Sequence, residues 1–189
     1  MTFSNDNSLY QIKRSCQESQ INFKIMSEIP RSEQPEKFEK ESEREKLTSL
    51  EKEGKWLFHG SAVKTDALEA KQPYNRDEKT GKMEKHGEPS IAASQFAEIA
   101  IFMAIVNPQN AGADCKSGVG INEEGKIEFL ASRETLEAVK GKKGYVYVLS
   151  KSNFKPFSDM EWRADTEIKP EEVVEVAFED LPQRIENLE

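Results

Sequence analysis

The sequence predicts an α+β fold built on a mostly antiparallel sheet. Three observations carry this. Tyr145–Leu149 (YVYVL) is a run of β-branched and aromatic residues with the strongest strand character in the chain. Gln95–Val106 is helical, with Phe96, Ile99, Ala100, Met103 and Val106 on one face at helical spacing. The element order is strand, helix, strand, helix, then a run of strands, which favours α+β with a mostly antiparallel sheet.

Residues 1–55 read as a polar arm. From Glu36 to Lys55 it is dense in Glu and Lys, with opposite charges three and four residues apart, as in a solvated helix. Phe38, Leu47 and Leu50 offer it weak docking points, and Gly54 suits the position just past its end. The domain proper is expected over residues 56–189. Residues 56–59 read as a strand, 62–71 as a short helix, and 72–88 as a polar loop carrying Pro73, Gly81 and Gly87. A loop of that length is either a surface insertion or a lid. Ser90–Ala93 reads as a short strand, and Ser94 as the N-cap of the helix that Asn107-Pro108 ends. Further on, Lys126–Ala131 alternates as a strand, Arg133–Val139 is a helical turn, Glu161–Arg163 starts a short strand, and Val173–Phe178 closes the sheet.

Composition narrows the function. Apolar residues make up 36% and charged residues 33%, and the apolar deficit is concentrated before Trp56 and in the 72–88 loop. A net charge of -8 argues against a broad face for duplex nucleic acid, although Lys71, Arg76, Lys79 and Lys82 could form a local basic pocket. Cys16 and Cys115 lie in dissimilar contexts, which predicts neither a zinc site nor a disulfide framework and fits a reducing compartment. No leader pattern opens the chain, and its longest apolar run is too short to span a bilayer. A cytoplasmic or otherwise intracellular protein without membrane contact is expected, export by a specialised system aside.

Three separated segments hold the candidate chemistry. His59-Gly60-Ser61 sets an imidazole, a bare backbone and a hydroxyl at a strand end, and His86 is the only other histidine. Ser90-Ile91-Ala92-Ala93-Ser94 runs into a helix containing Ala97 and Ala100. Glu161-Trp162-Arg163 follows a loop. His59 and Ser61 do not make a hydrolase pair, since no G-x-S-x-G elbow accompanies them.

This layout resembles the ADP-ribosyltransferase superfamily, nearer its poly-ADP-ribose polymerase and diphtheria-toxin branch. The resemblance covers residues 56–182 and rests on Phe58-His59-Gly60-Ser61, Ile91-Ala92-Ala93-Ser94 with Ala97 and Ala100, and Glu161. It implies NAD as co-substrate and an acceptor of unspecified class. It implies that His59 bonds the adenosine ribose, that the Gly60 backbone holds the nicotinamide carboxamide, and that Ser61 supports the other ribose or the turn. Ser94 falls among the cofactor-binding residues. Glu161 would bond the 2′-hydroxyl of the nicotinamide ribose and stabilise the oxocarbenium-like charge as nicotinamide leaves. One position departs from the pattern: Ile91 stands where the family has a tyrosine stacked on nicotinamide, and Tyr74 is the candidate to replace it from the loop. Glu167 and Glu172 fit the glutamate role less well. A module that binds NAD or ADP-ribose without transfer is the main alternative. An RNA 2′-phosphotransferase fits less well, because the body holds few arginines, and a structural accessory protein without a ligand is the remaining reading.

Overall fold

The computed structural model describes residues 42–72, 74–76, 83–85 and 87–188. Its first element is helix α1 (Glu43–Lys52), closed at its start by a reciprocal capping box between Ser42 and Glu45. Gly54, at φ +71°, sits just past its end, where a left-handed residue terminates a helix. The compact unit runs from Glu41 to Glu189, so this charged helix is part of it. The reason is Leu47, which is fully buried among residues of the main core.

The central sheet is antiparallel in the order β1 (Trp56–Ser61), β7 (Lys143–Ser150), β10 (Glu172–Ala177). Strand β7 is the middle strand and is covered on both faces. Val146 and Val148 point into one apolar cluster, while Tyr147 and Leu149 point into another. Alternation along one strand therefore divides the core in two.

The first cluster is filled by helix α2 (Ala97–Ile105). Beyond it lies a second sheet, ordered β11 (Glu186–Asn187), β6 (Ile127–Ala131), β5 (Ser117–Ile121), in which β11 runs parallel to β6. Phe102 of α2 meets Phe129 of β6 with ring centroids 5.2 Å apart. The helices α3 (Pro108–Ala111) and α4 (Arg133–Ala138) flank this side. The second cluster is closed by a sheet ordered β4 (Ile91–Ala93), β9 (Trp162–Ala164), β8 (Lys155–Pro156). A hairpin of β2 (Tyr74–Arg76) and β3 (Met83–Lys85) completes the strands. The fold is thus mixed α+β with mostly antiparallel sheets. No described helix is long and apolar enough to cross a membrane.

Helix α2 departs from expectation in two respects. Of the face Phe96, Ile99, Ala100, Met103, Val106, Ala100 and Val106 are buried in the core, but Met103 is 47% exposed, and Ile101, Phe102 and Ile105, outside that face, are fully buried. The helix is apolar almost all round, so periodicity alone could not choose its buried face. Ser94 does not cap it either. The cap position is Phe96, without a side-chain acceptor, and Glu51 of α1 supplies one instead: its Oε2 accepts the Ala97 N–H at 2.7 Å.

The helix expected over 62–71 does not form. The Tyr147 hydroxyl donates to Val63 O at 2.7 Å and accepts the Thr65 N–H at 2.8 Å. Leu68 and Ile168 exchange main-chain bonds of 2.8 and 3.0 Å, and Lys71 pairs likewise with Ser90. These long-range partners outbid a modest local helix propensity. The 72–88 segment contains the β2–β3 hairpin rather than being wholly loop, although Lys79, Lys82 and His86 lie outside the described residues.

Gly60 and Gly144 set how close α2 can come to the sheet. A Cβ on Gly60 would lie 2.1 Å from the Ala100 carbonyl oxygen, and one on Gly144 would lie 2.2 Å from that of Ala104. Both obstacles are backbone, so neither can rotate away. Gly60→Ala and Gly144→Ala should each cost about 3 kcal/mol, the upper end of ordinary overpacking. Gly120→Ala, where a Cβ meets nothing within 4 Å, serves as the control. Urea denaturation of the three variants checks this, and a Gly60→Ala protein as stable as the control would refute it.

Candidate functional site

The site begins where β1 and β4 part. Phe58 and Ser94 exchange both main-chain bonds, at 2.7 and 2.8 Å. Beyond this pair no ladder joins the two strands. Main-chain groups alternate sides along an extended strand. The next N–H and C=O to face away from β7 are therefore those of Gly60. Among the described residues they have no main-chain partner outside the β1–β7 ladder.

His59 bridges the gap instead. Its Nδ1 lies 2.7 Å from the Ala92 carbonyl oxygen. That oxygen can only accept, so Nδ1 carries the proton and a neutral ring leaves Nε2 as an acceptor. The ring also makes a tilted contact with Tyr147, 5.9 Å between centroids. Burial holds the imidazole below its ordinary value of 6.5; the Ala92 bond opposes this, and the charge of Lys71 adds to it.

The parting strands open a groove of about 280 Å³. Its walls are His59 and Gly60 on β1, Ala92–Ser94 on and after β4, and Val119 on β5. Ile99, Ala100 and Met103 of α2 form its floor, and Met160 and Glu161 close it. Glu161 arrives on a tight loop just before β9. Its carbonyl accepts the N–H groups of Phe157 (2.9 Å) and Ser158 (3.0 Å), and its own N–H donates to Ser158 Oγ (3.2 Å). Its carboxylate Oε1 accepts from Arg163 Nε at 2.5 Å.

The groove thus gathers His59, Gly60, Ser94 and Glu161 from three distant segments. It does not gather the others. Ser61 is absent from the lining, and its Oγ accepts the Val63 N–H at 3.2 Å, which shapes the turn after β1. Ile91 is 3% exposed and packs in the second apolar cluster, so Ala92 and Ala93 form the wall at this strand. Tyr74 stands on β2 opposite Lys85, and its side chain is outside the described set. Of the weaker glutamates, Glu172 pairs with Lys46 and Glu167 is exposed, and neither lines the groove. Trp162 packs against the second cluster, with Lys151 Nζ 4.3 Å from its ring centre. A larger neighbouring groove of about 560 Å³ holds none of the residues predicted for the site.

Sequence reasoning missed Val119, Met103 and Met160, which give the groove its apolar character. Strand β5 (SGVGI) was overlooked because its two glycines weaken the strand signal, although Val119 and Ile121 alternate with them. Among the described residues no cluster of three or more His, Cys, Asp or Glu side chains could hold a metal ion. The groove's lining offers hydrogen bonds, one carboxylate and apolar contact. No protein-family model, curated protein or solved structure matches the chain.

The lowered value of His59 makes stability depend on pH. Between the folded value and 6.5 the unfolded chain binds more protons than the folded one. The contribution of the neutral ring is therefore complete above 6.5 and is lost as pH falls through the window below it. Acidification from about pH 7.5 to about pH 5 should lower the melting temperature of the wild type more than that of His59→Asn. Parallel melting curves for the two proteins would count against a buried neutral imidazole.

Proposed function

We propose that the groove binds the nicotinamide end of NAD and that the protein transfers ADP-ribose to an acceptor. The convergence of His59, the open backbone edge of Gly60 and the carboxylate of Glu161 in one groove supports this reading most directly. At about 280 Å³ the groove is at the small end of ligand sites, so one end of the dinucleotide enters it and the rest lies along the open surface. His59 Nε2 accepts from a ribose hydroxyl, and the Gly60 N–H and C=O match the C=O and N–H of a carboxamide. In the reaction the bond from ribose C1′ to the nicotinamide nitrogen breaks, and nicotinamide leaves with the electron pair. Positive charge develops on the ribose, and the Glu161 carboxylate stabilises it. The acceptor then bonds to C1′ and releases a proton. A fixed carboxylate helps the charged transition state more than it helps bound NAD, so it acts on turnover.

A second reading, binding of NAD or ADP-ribose without transfer, has one observation in its favour. Among the groove's described lining the only aromatic carbocycle is Phe58, which is 1% exposed, so no such face is presented to stack on nicotinamide. Tight binding with no nicotinamide release would support it.

Titration calorimetry with NAD separates the roles. His59→Ala should weaken binding about tenfold or more, the effect of losing one or two buried hydrogen bonds. Glu161→Gln should keep binding within about threefold while cutting nicotinamide release about a hundredfold or more. Absence of NAD binding by the wild type at millimolar concentration would remove the proposal.

A further inference from the structure

Arg163 lies two residues beyond Glu161, on strand β9, and its side chain reaches back to the Glu161 carboxylate on the preceding loop. Their contact is unlike an ordinary surface ion pair, which holds little in place. The Arg163 side chain is only 19% exposed, and its Nε reaches Glu161 Oε1 at 2.5 Å. Its guanidinium carbon lies 3.4 Å from the centre of the Phe157 ring. Phe157 is itself tied back, its N–H bonded to the Glu161 carbonyl at 2.9 Å. On another side, the space above Gly87 is bounded by Arg163 Nη1. The Phe157 ring, 56% exposed, thus covers one face of the guanidinium, and the guanidinium in turn holds the carboxylate.

We infer that Arg163 is the positioning residue of this groove, holding Oε1 of Glu161 so that Oε2 is the oxygen presented to a bound ligand. The inference rests on the transfer reading given above. A carboxylate that stabilises developing charge must be oriented before the reaction, because reorienting it during the reaction raises the barrier. Lysine would not substitute. Its ammonium is a point charge on a flexible stem, with neither the Nε donor nor a plane to stack on Phe157. Arg163 need not touch NAD to matter, and its effect should pass entirely through Glu161.

The test measures NAD affinity by calorimetry and nicotinamide release with water as acceptor. The proteins are the full-length wild type, Arg163→Lys, Glu161→Gln, the double variant of the two, and Phe157→Leu. Arg163→Lys should lower kcat about 10- to 100-fold, the penalty of a misplaced reacting group, and leave the Kd for NAD within about twofold. The double variant should be no slower than Glu161→Gln alone, because Arg163 acts on nothing else in the reaction. If Arg163→Lys fails to fold, judged by its melting curve, Phe157→Leu decides: it keeps the ion pair, loosens the guanidinium, and should lower kcat about three- to tenfold. A wild-type kcat in the variant that folds, or fully additive losses in the double variant, would overturn the role of Arg163 while leaving the transferase reading intact. A wild type that neither binds NAD nor releases nicotinamide would instead remove the transferase reading, and this role with it.

Discussion

Helix α2 rests directly on the backbone of β1 and β7, because two glycines leave nothing between them. Gly60 faces Ala100, and Gly144 faces Ala104. Four small residues make a seam along which a helix and a sheet meet at backbone distance. The rest of the molecule is arranged around that seam. It lets Ile101, Phe102 and Ile105 be buried completely, each contributing roughly 1.5–3 kcal/mol. It also fixes the floor of the groove, since Ala100 belongs to both the seam and the lining. The glycine in His59-Gly60-Ser61 is therefore required by packing whether or not a ligand approaches it. What packing does not require is the open edge that Gly60 presents once β4 has turned away.

That edge depends on a competition between two partners of β1. On one side β7 pairs with all six of its residues. On the other side β4 joins only at Phe58 and Ser94, since β4 is committed to β9 through Ile91, Ala92 and Ala93. Two sheets with different allegiances must diverge, and the gap between them becomes the groove. His59 spans it with a side chain where a ladder would use main chain. The Tyr147 hydroxyl beyond that ring bonds Val63 and Thr65, so the same residue that lines the imidazole also anchors the segment after β1.

The parts of the fold legible in the sequence were those decided by local pattern. The β-branched and aromatic run Tyr145–Leu149 and the alternation of Val173–Phe178 mark two of the three central strands, and Trp56–His59 marks the third. Gly54 ended its helix as its position implied. Where a distant partner decided the outcome, the pattern misled. AVKTDALEAK has helix-forming residues, but its main chain is bonded to Tyr147, Ile168 and Ser90. The expected α2 face is right at Ala100 and Val106 and wrong at Met103, because every side of that helix is apolar and the pattern cannot separate its buried from its exposed positions. At the candidate site, His59, Gly60 and Glu161 could be singled out, since each is chemically conspicuous for its sequence context. Ile91 could not be placed, because whether a β4 residue faces the groove or the core depends on the register of β4 against β9. The methionines and Val119 carried no mark that distinguishes a groove wall from a core.

The bond from Glu51 to Ala97 changes the status of the residues before Trp56. Together with Leu47 and the Arg44–Glu98 pair, it makes α1 a strut behind the helix that floors the groove. A shortened fragment starting at the first strand would lose the acceptor for a helix N-terminus and open the Leu47 socket to water. The residues from Ser42 onward therefore belong to the packed unit, and removing them would take away support from the helix that floors the groove.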